Sequence, residues 1–163
     1  MNNTAQVSNA PQKNSAVLEN DTIVVEIDIA APPETVFEAW TDPQQRMQWW
    51  GDDEAYRSTR MESDLRAGGR WYTEGKGKTG KPFSVHGTYT RVDPPRALGF
   101  TWNHDWGGKE MPETHVLIEL TPTSSGTHLT LTHSGFTEAG ERDDHNNGWQ
   151  RVLGWLRGYL QRS

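Results

Sequence analysis

Residues Trp149–Leu160 read WQRVLGWLRGYL. Trp149, Val152, Leu153, Leu156 and Leu160 recur at helical spacing and fall on one stripe, with Trp155 and Tyr159 widening its flank. Gln150, Arg151, Arg157 and Gln161 face the other way. A stripe this broad and aromatic must be covered by a large apolar surface. The segments upstream supply one. Phe83, Val85, Gly87 and Tyr89 alternate, as do Leu98, Phe100 and Trp102, then Val116, Ile118 and Leu120, then Leu129 and Leu131. Period-two alternation predicts half-buried strands, and turn signals roughly every 10–15 residues predict an antiparallel meander. The helix is expected to lie on its concave face.

The N-terminal third opens on one further strand. In Thr22–Ile29 (TIVVEIDI), Ile23, Val25, Ile27 and Ile29 share a face opposite Val24, Glu26 and Asp28. Pro32-Pro33 then starts a short helix carrying Val36, Phe37 and Trp40, and Asp42-Pro43 ends it and opens another. The resulting order is strand, two short helices, about six strands and one long helix. It predicts an α+β fold in which a curved antiparallel sheet of about six to seven strands wraps the C-terminal helix. Such a grip can leave a cavity between helix and sheet, closed at one end by the short helices.

Composition bounds the chemistry. The chain has 163 residues, enough for one domain, with eight tryptophans as its main apolar resource. Its net charge of −6, without blocks of like charge, argues against a nucleic-acid partner. The absence of cysteine removes disulfides, thiolate metal sites and a cysteine nucleophile, and fits a cytoplasmic location. No apolar run approaches the ~20 residues of a membrane span, so no membrane partner is expected. Residues 1–20, polar and rich in Asn, Gln and Ser, are expected to form a disordered tail, leaving residues 21–163 as the domain. The glycine–lysine run Gly75–Lys81 reads as a hairpin loop and lacks the spacing of a phosphate loop.

Several stretches, in this order, resemble one family. They are Ala31–Pro43 (APPETVFEAWTDP), Trp49–Gly51 (WWG), Asp64–Trp71 (DLRAGGRW), Gly87–Tyr89 (GTY), Pro94–Arg96 (PPR), Leu98–Trp102 (LGFTW), Leu131–Phe136 (LTHSGF) and His145–Trp149 (HNNGW). Together they are similar to the branch of the SRPBCC (START and Bet v 1-like) superfamily named for homologues of the activator of the heat-shock-protein-90 ATPase. The resemblance spans about residues 22–162. It implies a helix-grip fold and binding of a small hydrophobic or amphipathic ligand. The family name implies stress response and a chaperone as a second class of partner. The eukaryotic activators are resembled only in their C-terminal domain. The superfamily also contains enzymes, so a cavity enzyme of cyclase, hydrolase or dehydratase type is the third reading.

Candidate site residues follow from which positions face inward. Trp49, Trp71, Tyr89, Phe100, Trp102, His133, Trp149 and Leu153 are expected to form the ligand wall. His133 shares parity with Leu129 and Leu131 and should point inward, whereas His128, five residues away on the same strand, should point out. The ordinary account of His133 is a hydrogen-bonded core histidine. Pro43, Met47 and Trp50 fall on one side of the second short helix, which places Trp50 in the core. Trp49, turned by about 100° on an ideal helix, is expected to cap the cavity. The six histidines show no metal-ligand spacing, no Gly-x-Ser-x-Gly elbow occurs, and paired acids lie in loops. No catalytic residue, metal or cofactor is therefore assigned. Gly154 and Gly158, on the polar side of the last helix, leave monomer and homodimer both open.

Overall fold

The computed structural model of the chain describes residues 20–162. The tail expected over residues 1–20 lies outside them, save Asn20, whose carbonyl accepts from Arg142 Nη1 at 2.7 Å. Strand β1 (Ile23–Ile29) is followed by helices α1 (Pro33–Thr41) and α2 (Pro43–Trp49). Eight strands come next: β2 (Gly51–Asp52), β3 (Tyr56–Ser63), β4 (Arg70–Gly77), β5 (Pro82–Asp93), β6 (Ala97–Trp106), β7 (Lys109–Glu110), β8 (Thr114–Thr123) and β9 (Gly126–Ser134). Helix α3 (Ala139–Arg162) ends the described chain. The strands form one antiparallel sheet in the order β1-β9-β8-β6-β5-β4-β3-β2, with β7 paired to β6. The sheet curls around α3, the α+β helix-grip arrangement that the alternating strands and the amphipathic last segment predict. Two of the nine strands are only two residues long, too short to leave a periodic signal.

The short helices form for local reasons. Pro33 opens α1 and Pro43 opens α2, where a missing N–H costs nothing. The Asp42 carboxylate caps α2 by accepting from Gln44 N at 3.0 Å. Buried Val36, Phe37 and Trp40 turn α1 onto the sheet.

Two local expectations need correction. The Gly75–Lys81 run is not all loop: β4 continues to Gly77, with Gly75 opposite Phe83 and Lys76 opposite Pro82. A side chain at Gly75 would strike the Arg57 carbonyl and the Phe83 ring, so glycine lets three strands close up there. The last helix begins ten residues before Trp149, at Ala139. Gly140, Asn146, Asn147 and Gly148 are poor helix formers, and tertiary packing carries the helix through them. Among the described residues no helix is long and apolar enough to cross a membrane.

The core lies between α3 and the concave face of the sheet. Val116, Ile118, Leu129, Leu131, Leu153 and Leu156 are all at most 1% exposed. Outside, His128 lies between Asp28 and Glu26, each at 2.7 Å, opposite in direction to buried His133.

The two faces of α3 should respond oppositely to substitution. Leu156→Ala is expected to cost about 2–5 kcal/mol in urea unfolding, because it empties a fully buried position. Gly154 and Gly158 are exposed, and a methyl added at either meets nothing within 4 Å. Gly154→Ala should therefore stabilise the fold by about 0.5–1 kcal/mol.

Candidate functional site

A cavity of about 840 Å³ opens between the sheet and the first half of α3. The β5 and β6 strands supply one wall through Phe83, Val85, Trp102, His104 and Trp106. Helix α3 supplies the facing wall through His145, Trp149 and Val152. The α2 end and β3 close it with Arg46, Met47, Trp50, Tyr56 and Met61. Charged side chains also border it: Lys81, Lys109 and Arg151, with Glu141 and Asp144 on α3.

The strand register explains why space exists here and not elsewhere. Phe83 pairs with Trp106 and Val85 with His104 at the cavity end, whereas Tyr89 pairs with Phe100 at the other. At that other end Trp71 meets Phe100 edge-on at 5.4 Å and Tyr89 meets Phe100 at 6.4 Å. Gly87, opposite Trp71, has no room for a side chain: a Cβ would sit 1.9 Å from the Thr101 carbonyl oxygen and 2.8 Å from Trp71 Nε1. Those rings fill the fold.

Of the eight residues expected to form the wall, Trp102 and Trp149 line the cavity. Trp71, Tyr89, Phe100 and Leu153 are packed into the filled end or behind the wall, each at most 2% exposed. His133 is buried in the second layer. Both adjacent tryptophans are buried in the core, as expected for Trp50 and against the capping role expected of Trp49. Trp49 is core, donating its indole N–H to the Ala39 carbonyl at 2.9 Å and meeting Trp40 edge-on at 5.2 Å. Trp50 lines the cavity and donates to the Tyr56 hydroxyl at 2.9 Å. Trp50 lies just past the end of α2 in extended backbone (φ −89°, ψ 100°), and its ring both joins the core and lines the cavity beside Met47. Sequence reasoning also passed over Arg46, Met47, Tyr56, Met61, His104, Trp106 and His145. A parity signal existed for two of them: His104 and Trp106 continue the inward face of Phe100 and Trp102.

Two histidines are wired to tryptophans. An indole N–H can only donate, so His133 Nδ1 accepts from Trp149 Nε1 at 2.9 Å. The neutral ring then carries its proton on Nε2 and donates to Thr114 Oγ1 at 2.6 Å. His145 has the opposite tautomer: Nε2 accepts from Trp102 Nε1 at 3.3 Å, and Nδ1–H donates to the Glu141 carbonyl at 2.8 Å. His104 and His133 lie 5.5 Å and 5.4 Å from His145, ring centre to ring centre. Burial holds His133 well below the ordinary imidazole range, with the neighbouring histidines adding to the effect. Burial, and His145 beside it, push His104 down to about 4. Among the described residues no group of three or more His, Asp or Glu side chains is placed to hold a metal ion. The neutral imidazoles and indole N–H groups suit hydrogen bonding within an apolar wall.

Arg46 is the outlier. It is 4% exposed, and its guanidinium lies over Trp50 at 4.6 Å and Trp71 at 5.6 Å. Burial lowers its pKa to about 10.

The depressed histidines set a pH dependence. In the folded protein His104 stays neutral down to about pH 4, whereas the unfolded chain protonates it near 6.5. Its contribution is therefore full above pH 6.5 and lost as pH falls toward 4. His104 alone should make the protein about 2 kcal/mol less stable at pH 5 than at pH 7.5. His133 acts in the same direction. His128, whose pKa is raised by Glu26 and Asp28, acts oppositely, but as an exposed pair it contributes little. Denaturant unfolding of wild type and His104→Phe at both pH values should show a smaller acid loss in the variant.

Comparison with known proteins places this geometry. No curated protein matches the chain. Solved structures do. A Chromobacterium violaceum protein is 27% identical, covering 86% of this chain and 96% of its own, with a TM-score of 0.77. The AHSA1 protein of Silicibacter pomeroyi is 29% identical over 86% of this chain and 97% of its own, with a TM-score of 0.74. CalU16 of Micromonospora echinospora is 27% identical over 85% of this chain and 73% of its own, with a TM-score of 0.66. The sequence profile of the family described as "Activator of Hsp90 ATPase homolog 1-like protein" matches residues 30–161, and the chain belongs to that family.

Proposed function

We propose that this protein binds a small hydrophobic or amphipathic molecule in the cavity between the sheet and α3, and that it works in the cytoplasm. The observation carrying this reading is the cavity itself. At about 840 Å³ it lies within the ~300–1,000 Å³ usual for small-molecule sites. Its wall has an aromatic and thioether-rich part, with Trp50, Trp102, Trp106, Phe83, Met47, Met61 and Met111, and a charged part with Arg46, Lys81, Lys109, Glu141, Asp144 and Arg151. Apolar burial supplies affinity, and the polar groups orient the ligand. Rigid aromatic walls lose little entropy on binding.

The family description favours a second reading, docking to a chaperone. The surface offers it little support. Among the described residues the large apolar side chains left exposed are Val24 and Leu65, and two such residues make no docking patch. An unchanged chaperone ATPase rate at high molar excess of this protein would remove the second reading.

Four of the eight tryptophans, Trp50, Trp102, Trp106 and Trp149, line the cavity. Titration with a panel of lipids and aromatic compounds should therefore give saturable quenching. Met61→Trp, which fills the cavity from β3, should weaken binding at least about tenfold while leaving the melting temperature within a few degrees. Absence of saturable quenching with every compound class would end the proposal.

A further inference from the structure

We infer that the cavity takes an amphipathic molecule with an anionic head group, a carboxylate or sulfonate, seated on Arg46 with its apolar body against the tryptophan wall. This rests on the reading of the cavity as a ligand site and adds the charge of the ligand.

The inference starts from a cation with no counter-ion. Arg46 is 4% exposed and lines the cavity. Its Nε is buried without a hydrogen-bond partner, and among the described residues no carboxylate forms an ion pair with it. Removing a charge from water without a partner is strongly uphill. The stacking on Trp50 and Trp71 offsets part of this and also fixes the guanidinium plane. It leaves the in-plane N–H donors unused, and these are the groups that recognise a carboxylate or sulfonate.

Nearby acids are committed elsewhere. Asp42 caps α2. Asp52 accepts from the Glu54 and Ala55 amides through one oxygen and from Trp155 Nε1 through the other. Glu141 and Asp144 belong to α3, and among the described residues neither forms an ion pair with Arg46. The titratable groups that act on Arg46 are two tyrosines, Tyr89 and Tyr56, whose neutral hydroxyls supply no counter-charge. Tyr89 shares its hydroxyl with Ser63 at 2.6 Å. Tyr56 accepts from Trp50, so its own O–H proton remains to be donated. Burial raises the Tyr56 pKa, so this hydroxyl is a neutral donor. Arg46 and Tyr56 thus present N–H and O–H donors to one cavity, a pattern that fits an anion and wastes its donors on a hydrocarbon.

The test uses a matched pair of fluorescent probes: anilinonaphthalene sulfonate, and uncharged phenylnaphthylamine, which lacks only the sulfonate. On the full chain the sulfonate should bind about ten- to hundredfold more tightly than the neutral probe, the range of a charge-assisted hydrogen bond. Arg46→Met, which keeps the volume, should bring that ratio to about one, and Arg46→Lys should retain part of it. A Lys81→Gln/Lys109→Gln double variant at the rim should leave the ratio unchanged. A wild-type ratio near one overturns the inference and leaves the cavity reading standing, as does a ratio that survives Arg46→Met or collapses in the rim variant. If neither probe binds wild type, the inference is overturned, and the cavity reading is decided by the wider compound panel. Should Arg46→Met not fold, the wild-type ratio, Arg46→Lys and the rim variant still decide.

Discussion

The Trp149 indole holds this fold together. Its N–H is bonded to the His133 ring, and its faces and edges meet Trp50, Trp102 and Trp40. One side chain therefore ties α3 to β9, to β6, to α1 and to the residue that caps α2. Burying an indole is more favourable when its N–H keeps an acceptor, and for Trp149 His133 is that acceptor. Sliding α3 along the sheet would leave both the N–H and the imidazole unpaired in the core. The helix is thus located along its length as well as around its axis.

That placement decides where space is left. The half of the sheet under Leu153 and Leu156 is filled by aliphatic and aromatic groups, while the half before Trp149 faces the polar first turns of α3. Those turns carry His145, Asn147 and Gly148, which cannot fill the room that faces the stacked Phe83 and Trp106 rings. Stiff rings on the opposite wall keep it from collapsing. The cavity is a consequence of where one tryptophan docks.

Inward and outward faces were legible in the sequence, because alternation has a period of two and His133, Val85 and Trp102 obey it. What alternation does not encode is position along the strand. Tyr89 and Trp102 share a face, yet the Tyr89 end is filled and the Trp102 end is open, and only the docking of α3 separates them. Helix limits were legible where caps and prolines mark them, at Asp42-Pro43, and illegible at Ala139, where tertiary packing overrides weak propensity. The burial of Trp49 was illegible for a related reason: a wheel gives its direction from the α2 axis but not the Trp40 ring that covers it. Arg46 left no signal, since nothing local distinguishes a buried arginine from a solvated one.

Among the described residues strand β1 pairs only with β9, so its register is completed by residues as distant as Ile23 and His133, 110 positions apart. During synthesis β1 must wait, unpaired, until nearly the whole domain has emerged. Closing so long a loop carries an entropic cost before any contact repays it, which slows collapse to the native state. The alternating Ile and Val of β1 are exposed through that interval, and Glu26 and Asp28, spaced along its outer face, keep nascent chains from pairing through it.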